Sequence, residues 1–302
     1  WQMVDRTAQR TKRVYIAGDD DQAIFKWAGA RPEFLINMKG ERKILDKSYR
    51  LPLKIQKKAT DLISRVKERV DKQWSAREEE GEINYYPTEQ LNKLTEGDWL
   101  VLARNKYTLD KLEENLKLNG YYYSRNNTTS VDSRVLKGIK SWESIRKGEK
   151  ITYKEVKQFY YFLHVDKSVE KGHKTLQKAD REALYDYGTL TTNHGLKVDS
   201  NLPWFEALDS IPRIKSSYIR AVLRRGQNLD YSPKIKLSTV HGAKGGEADN
   251  VMLLTDLSRR TDESYWKDKD EERRVFYVGM TRAKKSLNIV RSKTNREFSE
   301  AF

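Results

Sequence analysis

Chemistry in this chain is concentrated in four short segments rich in cations, aromatics and glycine. The last of them reads Glu271-Glu272-Arg273-Arg274-Val275-Phe276-Tyr277-Val278-Gly279-Met280-Thr281-Arg282-Ala283. Charged residues lead into an apolar helix face, and the run ends on an arginine beside a small residue. Such a segment can deliver a cation to phosphates held mainly by another domain; the plain alternative is an amphipathic helix with Arg282 in solvent. The first segment, Gly18-Asp19-Asp20-Asp21-Gln22-Ala23-Ile24-Phe25-Lys26-Trp27-Ala28-Gly29-Ala30, puts Gln22 just past an expected strand end. An amide there can orient a water or sense a γ-phosphate, and Trp27 can stack a base. The alternative is a turn glutamine and a core tryptophan. In the second segment, Leu45-Asp46-Lys47-Ser48-Tyr49-Arg50, an aromatic and then an arginine could stack a purine and touch a phosphate. Tyr-Arg pairs are also common surface neighbours. The third, Leu237-Ser238-Thr239-Val240-His241-Gly242-Ala243-Lys244-Gly245-Gly246-Glu247, feeds a strand into a glycine-rich turn. Bare backbone at Gly245 can approach a phosphate or sugar closely. Thr239, His241 and Lys244 cluster beside it, which suits ligand contact better than a plain turn.

A phosphate cradle is absent. Its signature is GxxxxGK(S/T), and this sequence contains no Gly-Lys dipeptide. The acidic pairs Asp262-Glu263 and Asp270-Glu271 do not follow apolar strands, so neither reads as a magnesium-binding motif.

The elements that must position these segments alternate between two periods. Residues 13–19, 43–46, 82–86, 99–103 and 121–123 read as strands. Between them, Ile55, Ala59, Leu62, Ile63 and Val66 share one helix face, and Leu109, Leu112, Leu116 and Leu118 mark a helix that stops at Gly120. That alternation predicts a parallel sheet covered by helices. After about residue 126 the pattern becomes helical. Val131, Val135, Ile139, Trp142 and Ile145 are helix-spaced, and Thr152 with Glu155 makes a capping box. Strands return at 236–240, 251–254 and 287–290. The simplest organisation is one α/β domain interrupted by a mostly helical insert of roughly a hundred residues.

Composition narrows the partner. Lys plus Arg is 59 against 44 Asp plus Glu, a formal net charge of +15. That favours a polyanion, nucleic acid first. Cysteine is absent, which excludes a disulfide framework and a thiolate metal site, and the four histidines show no recognisable zinc spacing. No apolar run approaches the ~20 residues a membrane span needs.

The four segments, in their order, resemble the motifs of superfamily 1 helicases of the UvrD and Rep type. In that family GDxxQxIYxWRGA is the third motif, LxxNYRS the fourth, TxHxxKGLEF the fifth and EERRLxYVxxTRA the sixth. Residues 18–30, 237–247 and 271–283 match closely, and 45–50 fairly. The likeness covers everything but the insert. Departures are Ala28 for an arginine, Ser48 for an asparagine, Leu51 for a serine, and Gly246 and Ala248 for the hydrophobic pair flanking the fifth motif's glutamate.

The resemblance implies a RecA-like parallel sheet of the P-loop NTPase type, with a helical regulatory insert. It implies catalytic roles at the γ-phosphate for Gln22, Arg50 and Arg282. Tyr49 would stack on adenine, and Glu247, beside Gly245, would bond the ribose. Trp27 would stack a base of single-stranded DNA, with Thr239 and His241 touching the strand. The implied cofactor is ATP with Mg²⁺; the implied partners are single-stranded and duplex DNA, with replication or repair proteins beyond them. The expected layout is 1–41 as the tail of a first motor domain, 42–126 and 234–302 as the second, and 127–233 as the insert. The expectation is therefore a C-terminal fragment of a cytoplasmic 3′-to-5′ DNA helicase, bacterial or from a virus-infected cell, inactive as an ATPase alone. The rival expectation is a non-enzymatic nucleic-acid-binding subunit derived from a helicase.

Overall fold

The computed structural model describes residues 2–177 and 179–302. The chain divides into two compact units, one of residues up to 113 with 234–302, the other of 114–233. No helix among the described residues is long and apolar enough to cross a membrane.

The larger unit is built on strands β1 (Lys47–Pro52), β2 (Ser75–Arg77), β3 (Glu82–Tyr86), β4 (Trp99–Ala103), β5 (Ile235–Thr239), β6 (Ala248–Leu254) and β7 (Ala283–Val290). Within this unit, five of them form a parallel sheet in the order β3-β7-β6-β4-β5. Strand β4 is buried along its whole length, as a continuous apolar run in a parallel sheet must be. Its Leu102 pairs with Leu253, which pairs in turn with Ile289. The helix Leu53–Ile63 brings Ile55, Ala59, Leu62 and Ile63 into the same core. The helix Lys269–Met280 adds Val275, Phe276, Val278 and Met280, with Phe276 stacked on Phe298 at 4.0 Å. Burying each such side chain contributes about 1.5–3 kcal/mol. Asp268 caps the start of this helix by accepting from the Asp270 N–H, and Asp270, Glu271 and Glu272 occupy its first turn, where the helix dipole favours anions.

The smaller unit packs helices Ser133–Arg146, Tyr153–Tyr160, Tyr187–Asn193 and Arg213–Arg224 around Trp142, Phe159, Tyr160 and Trp204. The capping box at Thr152 and Glu155 is formed. Gly120 sits at φ +66, and a Cβ there would lie 2.8 Å from Ala221 atoms, so the turn needs glycine.

Three expected strands differ. Residues 13–19 form none: among the described residues no neighbour supplies the hydrogen-bond ladder a strand requires, and Tyr15 is 87% exposed. The strand expected at 43–46 begins instead at Lys47, where β2 pairs with it. Of 121–123 only Tyr123 is in a strand, Tyr123–Arg125. Tyr122 packs with the helical core, and Tyr218 Oη donates to the Tyr121 carbonyl, so this segment groups with the smaller unit. The division accordingly falls after residue 113 rather than after 126.

Candidate functional site

Arg282 lies between the end of the buried helix Lys269–Met280 and the start of β7. Its backbone carbonyl accepts from Ala248 N–H, which ties the junction to the start of β6. The side chain is 2% exposed. It donates to Val278 O at 2.9 Å, Thr281 Oγ1 at 3.0 Å, Gln22 Oε1 at 3.2 Å and Gly246 O at 3.4 Å. Every acceptor is neutral. Burial lowers its pKa to about 10, helped by the like charge of Arg50, so it remains a cation at neutral pH. The solvated-arginine alternative is excluded. A buried cation without a carboxylate is costly, and such a cost is recovered when an anion arrives.

Arg50 is half-buried in β1. Its Nη1 is 3.7 Å from Glu247 Oε2, and its Nε is buried with no hydrogen-bond partner. Ser48 shapes the strand locally, its Oγ accepting from the N–H groups of Arg50 and Leu51. Glu247 is shared with Lys284 at 3.8 Å, so its charge is divided. Gly245, at φ +89 with open space around it, adopts a conformation that side chains rarely take.

Gln22 closes a short 3-10 turn, Asp20–Gln22, capped by Asp19. Its Nε2 donates to Asp19 Oδ2 at 2.6 Å while its Oε1 faces Arg282. Asp19 can only accept and Arg282 can only donate, so the amide has one orientation. Lys244 Nζ donates to the Gln22 carbonyl at 2.8 Å and lies 5.5 Å from the centre of the Phe25 ring. His241 meets the same ring edge-on at 5.6 Å. Thr239 Oγ1 accepts from Gly242 N–H at 3.1 Å and closes the glycine turn.

His241 is neutral. Burial first, then the positive charge of Arg104, lowers its pKa to about 4 against a bond to the Ile24 backbone. Its folded pKa lies below the unfolded value near 6.5, so its contribution to stability is full above 6.5 and is lost as pH falls towards 4. NMR of the ring carbons should show no titration of His241 between pH 5.5 and 8. A midpoint near 6.5 would contradict this environment.

Trp27 and Tyr49 are not drawn into the arginine cluster. Trp27 is 72% exposed on a 3-10 turn, Lys26–Ala28, which Lys26 ties to Asp268 at 2.9 Å. It is therefore not core. Tyr49 is 82% exposed, with Lys47 Nζ 5.4 Å from its ring centre.

Reading the sequence missed two charged constellations. Lys72 and Arg69 hold the carboxylates of Asp19, Asp20 and Asp21. Arg104 grips buried Glu272 through two bonds of 2.7 and 2.8 Å. The available signal was three successive aspartates beside functional residues, which need nearby cations if they are not in solvent.

Known proteins share sequence with these segments. The model for the UvrD-like helicase C-terminal domain matches residues 214–294, which span the third and fourth segments. The chain is 22% identical to "ATP-dependent DNA helicase Rep" of Escherichia coli over 95% of its own length and 57% of that protein. The chain is similar to the C-terminal portion of UvrD/Rep-type superfamily 1 helicases. It is also 39% identical to a "Probable DNA helicase II homolog" of Rickettsia conorii over 77 residues, 24% of this chain and 12% of that protein. A "Probable DNA helicase" of Mycoplasma pneumoniae is 29% identical over 38% of this chain and 22% of its own. The chain thus spans just over half of Rep and a small part of the rickettsial protein. These relatives are bacterial, and nothing among them supports a virus-infected host.

Proposed function

We propose that this chain supplies the second, RecA-like motor domain of an ATP-dependent DNA helicase that moves 3′-to-5′ on single-stranded DNA and unwinds duplexes. The observation that carries the reading is the pairing of two under-compensated arginines. Arg282 is buried with neutral acceptors only, and Arg50 keeps a buried Nε without a partner. Both fit the terminal phosphate of a nucleoside triphosphate, because guanidinium forks match phosphate oxygens in pairs. A non-enzymatic binding subunit has no need of a buried arginine whose hydrogen bonds all go to neutral acceptors.

In this reading bound ATP with Mg²⁺ supplies the phosphoanhydride whose cleavage powers movement. Arg282 and Arg50 neutralise charge that develops on the terminal phosphate. Gln22, released from Arg282 when an anion takes its place, orients the attacking water. Glu247 holds the ribose beside the bare backbone of Gly245, and Tyr49 offers its exposed ring to the adenine. Trp27 stacks a DNA base without reading sequence, while Thr239 and His241 lie along the strand path. Because His241 is neutral, it contacts the strand as a hydrogen-bonding group and not as a cation. Residues 114–233 form the mostly helical regulatory unit that meets duplex DNA, and replication or repair proteins are the partners of the whole enzyme.

The test uses the isolated chain, which lacks a phosphate cradle. It should hydrolyse no ATP yet bind single-stranded DNA, as its net charge of +15 favours. Trp27→Ala should weaken that binding by ~1–3 kcal/mol for the lost stack, read by fluorescence anisotropy. ATP turnover by the isolated chain that disappears in Arg282→Ala would overturn the reliance on a cradle elsewhere. Unchanged DNA affinity in Trp27→Ala would remove Trp27 from the interface.

A further inference from the structure

Lys72 lies in the loop between the helix Leu53–Ile63 and β2, outside the four segments the motifs pick out. Its ammonium is 3.0 Å from Asp19 Oδ1, 2.6 Å from Asp20 Oδ1 and 2.8 Å from Asp21 Oδ2. An ammonium has three donors, and here each is spent on a different carboxylate of one turn. Arg69 holds Asp21 through Nε at 3.0 Å and Nη2 at 2.9 Å. Val70 N–H donates to Asp20 Oδ2 at 2.8 Å, and Arg274 Nε donates to the Asp20 carbonyl at 3.1 Å. The loop therefore grips the turn by its side chains and its backbone.

The grip reaches Gln22 through one carboxylate. Lys72 engages Asp19 at Oδ1, which leaves Oδ2 for the Gln22 amide at 2.6 Å. Asp20 and Asp21 are buried. Three carboxylates in one turn repel one another strongly at low dielectric. Without Lys72, Arg69 would still hold Asp21 and Val70 N–H would still hold Asp20, but Asp19, the most exposed of the three, would turn outward to water. Gln22 would then lose one of the two partners that fix its amide and be held through Arg282 alone. Burial opposes a charged Lys72, yet hydrogen bonds to Asp20 and Asp21 and the charges of Asp19 and Asp21 outweigh it and raise its pKa.

We propose that Lys72, supported by Arg69, is a positioning residue for Gln22, fixing through Asp19 an amide whose carbonyl faces Arg282. The kinetic part of this inference rests on the reading that Gln22 and Arg282 act on the terminal phosphate of ATP; the structural part does not. Two experiments separate them. In the chain itself, the Gln22 side-chain amide resonances should be displaced in the parent by the short bond to Asp19. They should move to free-amide positions in Lys72→Met and return in Lys72→Arg. In the complete helicase, Lys72→Met should lower kcat for DNA-stimulated ATP hydrolysis about 10-fold or more, the scale expected for a misplaced reacting group. KM for ATP and affinity for single-stranded DNA should stay at parent values, and Lys72→Arg should restore most of kcat.

Should Lys72→Met fail to fold, Asp19→Asn serves in its place. It keeps the shape of the side chain but removes its charge and its acceptor-only character, leaving Arg282 as the one partner that orients the Gln22 amide, and it should show the same fall in kcat. Unmoved Gln22 resonances in these variants would overturn the proposal. So would a parent kcat in both, given that Arg282→Ala in the same protein abolishes hydrolysis. If Arg282→Ala hydrolyses ATP normally, the functional reading fails, and the resonances alone then decide the role of Lys72.

Discussion

On the proposed function, Arg282→Ala in the complete protein is expected to lower kcat for ATP hydrolysis by about 10³–10⁵, the range an arginine finger contributes. The basis is where the cation sits. Arg282 is fixed by the carbonyls of Val278 and Gly246 and the hydroxyl of Thr281, so its position is set before any ligand arrives. Its fourth acceptor is Gln22, which with Arg50 is also proposed to act at the terminal phosphate. Preorganised charge in a dry site is worth far more than the same charge in water. Arg282→Lys should recover little, because a lysine keeps the charge but cannot repeat the fork. Arg50→Ala should act in the same direction, since its free Nε points to the same unmet demand for an anion. Affinity for single-stranded DNA should be unaffected in all three, because Trp27 is held by a separate turn tied to Asp268. Single-turnover hydrolysis and DNA binding measured side by side check this. Hydrolysis at the parent rate in Arg282→Ala would remove the arginine from the chemistry.

What could be read from the sequence depended on how local its cause was. Strand β4 was legible because five consecutive apolar residues, Trp99–Ala103, need both faces covered and nothing further away decides that. The capping box at Thr152 was legible because its two partners lie within one turn. Residues 13–19 carry the same apolar, β-branched signal as β4, but a strand exists only where a neighbour completes its ladder, and no local pattern reports a neighbour. The functional segments were legible as residue types in order. Their environments were not: Arg282 could be located from its motif, but its burial depends on Gly246 and Gln22, far away in the chain. The contact between Lys72 and the aspartates was hidden for the same reason, as charges on a basic chain read as solvated until the fold brings them together.

The largest effect on stability is expected at Arg104, just beyond the end of β4. Its two bonds to Glu272 join the sheet to the buried helix that ends at Arg282. Glu272 is 3% exposed, and burial raises its pKa even though Arg104 acts to lower it. Arg104→Ala strands that carboxylate in the core. Breaking one side of a buried pair costs about 3–5 kcal/mol, roughly 6–20 °C in Tm for a unit of this size. Replacing both partners with apolar residues, Arg104→Met with Glu272→Leu, should recover most of the loss, because the penalty comes from the unpaired charge. The pH dependence has a definite sign. A carboxyl whose folded pKa is raised contributes stability below its unfolded pKa and loses it as pH rises through the folded value. Without Arg104 that value rises further, so the deficit of the variant should be largest at pH 7 and shrink towards pH 5. Urea unfolding at the two pH values measures it; an equal deficit at both would mean that Glu272 is not the cause. The same substitution removes the second cause of the low pKa of His241, which should move upward in Arg104→Ala. The pair that holds the arginine helix to the sheet thus also helps to keep the histidine of the glycine turn uncharged.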